Sequence, residues 1–227
     1  MEAAVSIRNI EFRRQGPEPF VLSVPSLDVA SGETVALVGP SGSGKSTLLG
    51  LLSGELLPNS GEVRVAGTRI DTLSEPSRRA FRRSHIGVVA QTLSLIDYLT
   101  GLENILLVAL MQSGVGASKS RAIELARSLE VEHVLKRRPN RMSQGERQRI
   151  AICRALLLKP PVLLCDEPTG NLDADRGDRA MRLMLDAARQ GNAAVLIATH
   201  DQRLVPMADR VVSLASATST KPAAEPA

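Results

Sequence analysis

Short apolar runs, each followed by a loop signal, divide the first part of the chain. The run Thr34–Val38 is apolar apart from its first residue and ends at a glycine, a pattern typical of a buried strand. A loop rich in Gly and Ser separates it from a segment of helical character that begins at Lys45. Residues 62–65 alternate like a strand, and residues 86–90 form another β-rich run that ends at Gln91.

The middle of the chain has a different pattern. Residues 92–142 contain no strand-like run, and residues 118–135 show helical periodicity with Ile123, Ala126 and Leu129 on one stripe. We therefore predict a helical subdomain in this stretch.

Two further strand-like runs, at residues 162–165 and 193–199, follow the helical stretch. Strands that alternate with helices predict an α/β fold with a mostly parallel sheet. We predict a core domain whose first part covers residues 1–91 and whose second part covers 151–215. The helical subdomain occupies 92–150, and the small, polar, proline-containing tail at 216–227 is predicted to be disordered.

Composition shows how the core must be built. The chain has 227 residues, of which 43% are hydrophobic but only 2% aromatic, and it has no Trp. Leu, Val, Ile and Ala must therefore fill the interior, which suits a buried parallel sheet covered by helices. The two cysteines, Cys153 and Cys165, sit in apolar stretches and predict a reducing compartment without disulfides.

Charge and hydropathy limit the possible partners. The net charge of +4 is compatible with a polyanionic nucleotide or an anionic membrane face. We expect no nucleic-acid partner, because no basic run is interleaved with aromatic residues. The arginines at 78, 79, 82 and 83 have helical spacing and predict a solvated helix face. The start of the chain predicts no signal peptide, and the longest apolar run, 105–111, is too short to span a bilayer.

One eight-residue run, GPSGSGKS, matches the phosphate-loop pattern G-x-x-x-x-G-K-[ST] between a strand and a helix. Its glycines let backbone N–H groups turn toward phosphate oxygens, and the following helix contributes the positive end of its dipole. Lys45 is predicted to neutralise phosphate charge and Ser46 to bind Mg²⁺. A plain Gly/Ser turn is the alternative. The predicted nucleotide-binding residues are Gly39, Pro40, Ser41, Gly42, Ser43, Gly44, Lys45, Ser46 and Thr47.

A second candidate element is the apolar run 162–165, which ends in Asp166 and Glu167. In a phosphate-loop protein an Asp at such a strand end orders Mg²⁺, and a neighbouring Glu can polarise the attacking water as a general base. The alternative is a strand that simply ends in two solvated acids.

Residues 142–149, MSQGERQR, resemble the signature motif of ABC ATPases and precede the Asp166–Glu167 strand, as they do in that family. The resemblance extends to Gln91 as the Q-loop, to residues 171–173 as the D-loop and to His200 as the switch histidine. Ser143 and Glu146 form an S-x-x-E capping box that opens a helix. Each of these residues also has a purely structural interpretation. The Ser143–Glu146 motif would then be only a helix start, His200 a buried histidine and Gln91 a polar strand cap.

The resemblance implies a phosphate-loop NTPase core with a mostly parallel sheet, an N-terminal antiparallel β portion and an inserted helical subdomain. It also implies ATP and Mg²⁺ as cofactors and hydrolysis that involves Glu167, His200, Lys45 and Gln91. Ser46, Gln91 and Asp166 are the implied metal ligands. The residues implied to contact the nucleotide of the opposite subunit are Ser143, Gln144 and Gly145.

The implied assembly is a homodimer, or a pair with a similar ATPase subunit, that drives an integral-membrane permease. We accordingly expect a cytoplasmic protein, peripheral on the inner face of the cell membrane. The run DEPTGNLD, the run GERQR and residues 99–104 resemble the branch of lipoprotein-releasing, macrolide-exporting and cell-division ATPases.

Two positions depart from the family pattern. Gln144 stands where the family usually has Gly, so its side chain either crowds the phosphate or donates a hydrogen bond to it. Arg14 falls near the position of the aromatic residue that stacks on adenine; its planar guanidinium can stack too, and Phe12 or Phe20 could substitute.

Three rival functions were compared with the transporter motor. A soluble ABC ATPase acting on DNA or ribosomes usually carries coiled-coil insertions or tandem motors, which this chain lacks. A regulatory or force-transmitting ABC-type ATPase without transport is the main alternative, although the intact acids and histidine favour hydrolysis. A phosphate-loop kinase is disfavoured by the signature helix.

Overall fold

The computed structural model describes residues 3–14, 20–110, 115–169 and 174–214. The strands are β1 Ala3–Arg14, β2 Phe20–Ala30, β3 Thr34–Val38, β4 Ser60–Val65, β5 Thr68–Arg69, β6 Ile86–Val89, β7 Val162–Asp166, β8 Ala194–Ala198 and β9 Arg210–Ser213. The helices are α1 Lys45–Leu52, α2 Glu75–His85, α3 Gly101–Leu110, α4 Val115–Ser128, α5 Gln144–Leu156 and α6 Ala174–Gln190. Short 3-10 helices cover Glu132–Val134, Pro139–Arg141 and Val205–Met207.

The described strands form two sheets. One is antiparallel, in the order β2-β1-β4-β5, and the other is parallel, in the order β6-β7-β8-β3-β9. The parallel sheet and the N-terminal antiparallel portion confirm the predicted fold class. The carboxyl ends of β3, β7 and β8 lie side by side at one edge of the parallel sheet, because all three strands run the same way.

The parallel sheet lies between two hydrophobic cores. Along β7, Leu163 and Cys165 face the core shared with α3, α4, α5 and α6, whereas Val162 and Leu164 face the core under the antiparallel sheet. Side chains of a strand alternate between its two faces. Burial on both faces explains why the strand sequence is apolar without interruption.

The helical periodicity of residues 118–135 does not correspond to one helix. Helix α4 spans Val115–Ser128, and a 3-10 helix follows at Glu132–Val134. The backbone becomes left-handed at Glu130, with φ of 57°, and the Val131 N–H bonds to the Ala126 carbonyl. This turn ends the helix. The apolar residues that follow Leu129 are nevertheless buried, although they lie beyond the end of α4. Helix α5 runs across residue 150, and the end of the helical subdomain at that residue stays a prediction.

Some predicted features lie outside the described residues, namely the D-loop at 171–173 and the tail at 216–227. In the described ranges, no helix combines the length and apolar character that crossing a bilayer requires.

The α2 arginines are only partly a solvated face. Arg78 donates to the Gly54 and Leu73 carbonyls, and Arg82 donates to the Ser53 carbonyl.

Candidate active site

The loop between β3 and α1 is shaped by glycines in left-handed conformations. Gly42 has φ of 80° and Gly44, the N-cap of α1, has φ of 98°. A Cβ on Gly44 would lie 3.0 Å from Phe20 Cζ and 2.9 Å from Leu22 Cδ1, so a larger residue there would displace the ends of these two side chains. Both positions favour glycine for backbone reasons. The first N–H groups of a helix have no partner within it, so the start of α1 supplies donors next to this loop.

Lys45 is buried inside the curve of this loop. Its ammonium donates to the carbonyls of Gly39 at 2.9 Å and Pro40 at 3.1 Å. An ammonium group has three donors, so one remains for an anion. Ser43 is also buried, and no residue that the structure describes forms a hydrogen bond with its hydroxyl. A buried ammonium beside helix N–H groups makes this loop a strong site for phosphate.

The sheet brings the first predicted acid to this loop. Asp166 is the last residue of β7, and its Oδ1 accepts a 3.1 Å hydrogen bond from the Ser46 hydroxyl on α1. The two residues lie 120 positions apart in sequence. A hydroxyl and a carboxylate oxygen are the ligand types that Mg²⁺ prefers. The chemistry of this donor pair therefore fits a magnesium ion.

Glu167 follows directly and pairs with the predicted histidine. Its backbone is left-handed, with φ of 45°, and its N–H donates to the Ala198 carbonyl at 2.9 Å. Its Oε1 lies 2.8 Å from His200 Nδ1, and its Oε2 accepts a 3.4 Å bond from the Thr199 hydroxyl. The His200 side chain is 73% exposed, so the alternative of a buried structural histidine is wrong.

These groups surround one cleft of about 350 Å³. Its lining residues are Arg14, Phe20, Ser41, Gly42, Gly44, Lys45, Ser46, Thr47, Gln91, Glu167 and His200. The Gly39 and Pro40 carbonyls accept hydrogen bonds from Lys45, which lines the cleft. Asp166 accepts a hydrogen bond from Ser46, another lining residue. The cleft thus combines most of the predicted phosphate, metal and catalytic residues.

The lining of the cleft includes an arginine positioned over an aromatic ring. The Arg14 guanidinium carbon lies 5.5 Å from the centre of the Phe20 ring, and both side chains line the cleft. Phe12 packs instead against the core under the antiparallel sheet. Of the three side chains considered for base stacking, Arg14 and Phe20 are therefore in position.

The predicted signature residues lie apart from this cleft, at the start of α5. Ser143 caps the helix by accepting from the Glu146 N–H at 3.3 Å, and the Ser143 N–H donates to the Glu146 carboxylate at 2.6 Å. Burial alone would raise the pKa of Glu146, but hydrogen bonds from Ser143 and His133 outweigh it and lower that pKa. The capping box is present as predicted, with Ser143 and Gln144 exposed and Gly145 buried.

Three residues important for the site were not identified as such from the sequence. The Gln148 side chain on α5 donates to the Pro168 carbonyl beside Glu167. Asn104 is fully buried and holds the loop before α3, and Arg154 holds the loop after Gln91. Gln148 and Asn104 are polar residues at buried helical positions, which is the signal that could have revealed them.

Together, the phosphate loop, the acid pair at the end of β7 and the capped helix define a nucleotide-binding ATPase of the ABC class. The sequence pattern described as "ABC transporter" matches residues 22–170. The chain therefore belongs to the ABC transporter family. It is an ATP-binding subunit with ATPase function, as the signature, Q-loop and switch motifs predicted.

Relatives and solved structures agree with this assignment. The chain is 43% identical over 196 residues to the lipoprotein-releasing system ATP-binding protein LolD of Psychrobacter arcticus, covering 86% of this chain and 87% of that protein. It is 44% identical over 213 residues to an uncharacterized ABC transporter ATP-binding protein of Mycobacterium tuberculosis, covering 92% and 83%.

A solved structure of a dimeric ATP-binding cassette, MJ0796, in a post-hydrolysis state with ADP and Pi, superimposes with a TM-score of 0.84. The two sequences are 32% identical, and the match covers 96% of this chain and 97% of that one.

Proposed function

We propose that this chain is the motor subunit of a membrane transporter and that it hydrolyses Mg-ATP in the cleft beside the phosphate loop. One observation carries the proposal: a buried lysine, a Ser–Asp pair and a Glu–His pair converge on a single cleft. Lys45 and the loop N–H groups hold the phosphates, and Ser46 and Asp166 are the residues that would hold Mg²⁺. Gln91 lines the same cleft and completes the proposed metal and water contacts. Bound Mg²⁺ would supply charge neutralisation at the β- and γ-phosphates.

Glu167 is the proposed general base. Its carboxylate accepts a proton from water while the water oxygen bonds to the γ-phosphorus. The bond from that phosphorus to the bridging oxygen breaks, and its electron pair stays on ADP. His200 and Thr199 both contact the Glu167 carboxylate, so they fix its orientation. The exposed His200 ring extends into the cleft, where it can orient the γ-phosphate.

The experiment for this step is Glu167→Gln, which keeps the shape but removes the basic oxygen. We expect turnover to fall by at least about 100-fold while ATP binding persists. Glu75→Gln on exposed α2 makes the same chemical change away from the cleft and serves as the matched control. Wild-type turnover in Glu167→Gln would show that another group is the base.

The separation of the signature residues from the cleft supports a two-chain site. Ser143, Gln144 and Gly145 lie at an exposed helix start that does not line the cleft of the same chain. A capped helix N-terminus attracts anions. We propose that it contacts the γ-phosphate held by a second copy, as in the family, with Gln144 donating a side-chain hydrogen bond where other members have glycine. Glu167→Gln should then double in mass on gel filtration when ATP and Mg²⁺ are added.

For the base of the nucleotide we propose the Arg14–Phe20 pair as the stacking platform. A guanidinium plane backed by an aromatic ring stacks on any purine and offers no pattern specific to adenine. Competition with GTP is the test, and we expect Arg14→Ala to weaken the binding of ATP and GTP alike.

The proposed partner is an integral-membrane permease, because the chain belongs to the ABC transporter family. The relatives from Psychrobacter and Xanthomonas are named for lipoprotein release, which supports lipid-modified proteins as the cargo class. The proposed location, beside the permease, is the inner face of the cell membrane. Affinity capture of Glu167→Gln with Mg-ATP from solubilised membranes tests this. A stoichiometric multi-span protein is expected, whereas recovery of soluble factors alone would favour a regulatory role.

A further inference from the structure

A pocket lined by cationic side chains lies in the segment that precedes the signature helix. Its volume is about 360 Å³, and its lining residues are Lys136, Arg137, Arg138, Asn140 and Arg141. All five residues are exposed, four of them are cations and none is an acid. This site, the basic pocket, shares no lining residue with the ATP cleft. The function proposed above therefore leaves it unexplained.

The backbone of the basic pocket is held in place from both sides. The Arg137 carbonyl accepts the Gly101 N–H at the start of α3, at 2.8 Å. On the other side, Pro139 is buried at the start of a 3-10 helix, and its carbonyl accepts the Met142 N–H at 3.1 Å. The cationic side chains thus extend from an ordered backbone. A bound anion would have to order these side chains only, which keeps the entropic cost of binding low.

The positive charge of the basic pocket is not compensated by ion pairs. Among the described residues, no carboxylate forms an ion pair with any of the four cations. Exposed arginines elsewhere do pair, as Arg8 does with Asp28 at 2.8 Å. Four like charges within six positions repel one another, so an anion bound among them relieves that repulsion.

One acid, Glu103 on α3, lies close enough to be influenced by this charge. Hydrogen bonds from the Thr100 N–H and hydroxyl lower the pKa of the Glu103 carboxyl, and the charge on Arg138 adds to this effect. The Glu103 carboxylate is thus bound by Thr100 and forms no ion pair with Arg138. The basic pocket therefore remains suited to an anion from outside the chain.

The lining side chains indicate a phosphate group as the ligand. Three of the four cations are arginines, and a guanidinium binds two phosphate oxygens through parallel hydrogen bonds. No aromatic or aliphatic residue lines the pocket, so it offers no apolar surface that could bury a base or a sugar ring. It therefore recognises charge rather than the shape of an organic molecule, as polybasic surfaces do at anionic membranes.

We propose that the basic pocket binds the phosphate headgroup of an anionic phospholipid at the inner face of the membrane. The choice of a lipid as the source of the phosphate rests on the proposed function, which places the chain beside a permease. The contact holds the motor at the bilayer surface and keeps its local concentration high next to the permease.

Flotation of the isolated chain with lipid vesicles tests this proposal. We expect binding to phosphatidylcholine vesicles that contain phosphatidylglycerol, a decrease of this binding with added salt, and no binding to pure phosphatidylcholine. The double variant Arg137→Gln/Arg138→Gln should bind at least about 10-fold more weakly, because each cation near an anionic surface contributes roughly fivefold. Arg137→Lys/Arg138→Lys keeps both charges and should stay within about 3-fold of the wild type.

The matched control is Arg79→Gln/Arg83→Gln, which removes the same net charge from exposed positions on α2. It should bind the vesicles like the wild type. The proposal is overturned if this control loses as much binding as Arg137→Gln/Arg138→Gln. Equal binding to both kinds of vesicle, or a Lys variant as weak as the Gln variant, overturns it as well.

Two further measurements separate a lipid from other sources of phosphate. Inorganic phosphate, at the same concentration as phosphatidylglycerol, should not displace the chain from the vesicles; displacement would assign the pocket to free phosphate. Arg137→Gln/Arg138→Gln should keep wild-type ATP turnover and, combined with Glu167→Gln, should keep ATP-dependent dimerisation. Loss of either would assign the pocket to the nucleotide of the second copy and overturn the lipid contact.

Failure of this inference can be distinguished from failure of the proposed function, because flotation needs no permease. Vesicle binding that depends on Arg137 and Arg138, without any permease captured by Glu167→Gln, would refute the transporter role and keep the lipid contact. Capture of a permease without vesicle binding would refute the lipid contact alone.

Discussion

Asn104 offers a sharp test of how the segment between the Q-loop and α3 is held. It is fully buried on α3, and its Oδ1 accepts the Ile96 N–H at 2.8 Å. Its Nδ2 donates to the carbonyls of Ile96 at 3.1 Å, Leu99 at 3.2 Å and Thr100 at 3.0 Å. One side chain thus closes a loop that has no regular structure of its own.

Replacing Asn104 by Leu removes these bonds and keeps the branching of the side chain; because the methyl groups are larger than the amide atoms, no cavity forms. The Ile96 N–H loses its acceptor, and an unsatisfied buried donor costs about 1–3 kcal/mol. The three carbonyls lose the two hydrogens of the Asn104 amide, and each lost hydrogen bond lowers the unfolding free energy by about 1 kcal/mol or less. We expect Asn104→Leu to lower the free energy of unfolding by about 2–4 kcal/mol.

Asn104→Asp keeps the shape and Oδ1 but directs a second oxygen at three carbonyls. Burial and these carbonyls disfavour the charged form, so the pKa of the new carboxyl is raised in the folded state. Stability is then highest below the unfolded pKa of about 3.9 and falls as pH rises toward the raised folded pKa. The Leu variant should show no such additional loss.

Urea unfolding followed by circular dichroism at pH 5 and pH 8 measures both effects. Asn140→Leu, at an exposed position, is the matched control and should change stability by less than about 0.5 kcal/mol. The reasoning is refuted if Asn104→Leu behaves like the control. It is also refuted if the Asp and Leu variants keep the same difference at both pH values.

Three further predictions follow from the described contacts. Burial raises the pKa of the Cys153 and Cys165 thiols, so both should resist N-ethylmaleimide at pH 8 in the native chain and react after unfolding; labelling of the folded chain would contradict this. Ser143→Ala should reduce the unfolding free energy by about 1 kcal/mol, because the helix cap is lost; urea titration measures this. An unchanged unfolding free energy would show that the cap does not stabilise the fold. A Cβ added at Gly42 has no neighbour within 4 Å, so Gly42→Ala should lower the unfolding free energy only through backbone strain, by about 1–2 kcal/mol. Gly44→Ala should lower it further, because its Cβ also comes too close to neighbouring side chains. Equal losses of stability for the two variants in thermal melts would refute the steric argument.

Local features of this chain could be predicted because each is decided within a few residues. The phosphate loop depends on left-handed glycines next to a helix start, and both are visible in one contiguous run. The capping box depends on the spacing of Ser143 and Glu146, and strand β7 on an unbroken apolar run. The ABC family and the α/β class follow from the order of such local features along the chain.

Other features depended on the tertiary structure. Helix α4 ends early because Glu130 takes a left-handed conformation, which the apolar stripe through Leu129 does not reveal. Helical periodicity reports which face is buried, and burial continues after the helix has stopped. The stacking of Arg14 on Phe20 likewise depends on the pairing of β1 with β2.

The phosphate loop, the acid pair and the signature helix can each be recognised from a contiguous run of residues. The contacts of Ser46 with Asp166, of Glu167 with His200 and of Arg154 with the loop after Gln91 arise only in the folded chain. The reason is the strand order β6-β7-β8-β3-β9, which places the ends of distant strands together. That order is set by packing between two cores, and no local periodicity encodes it.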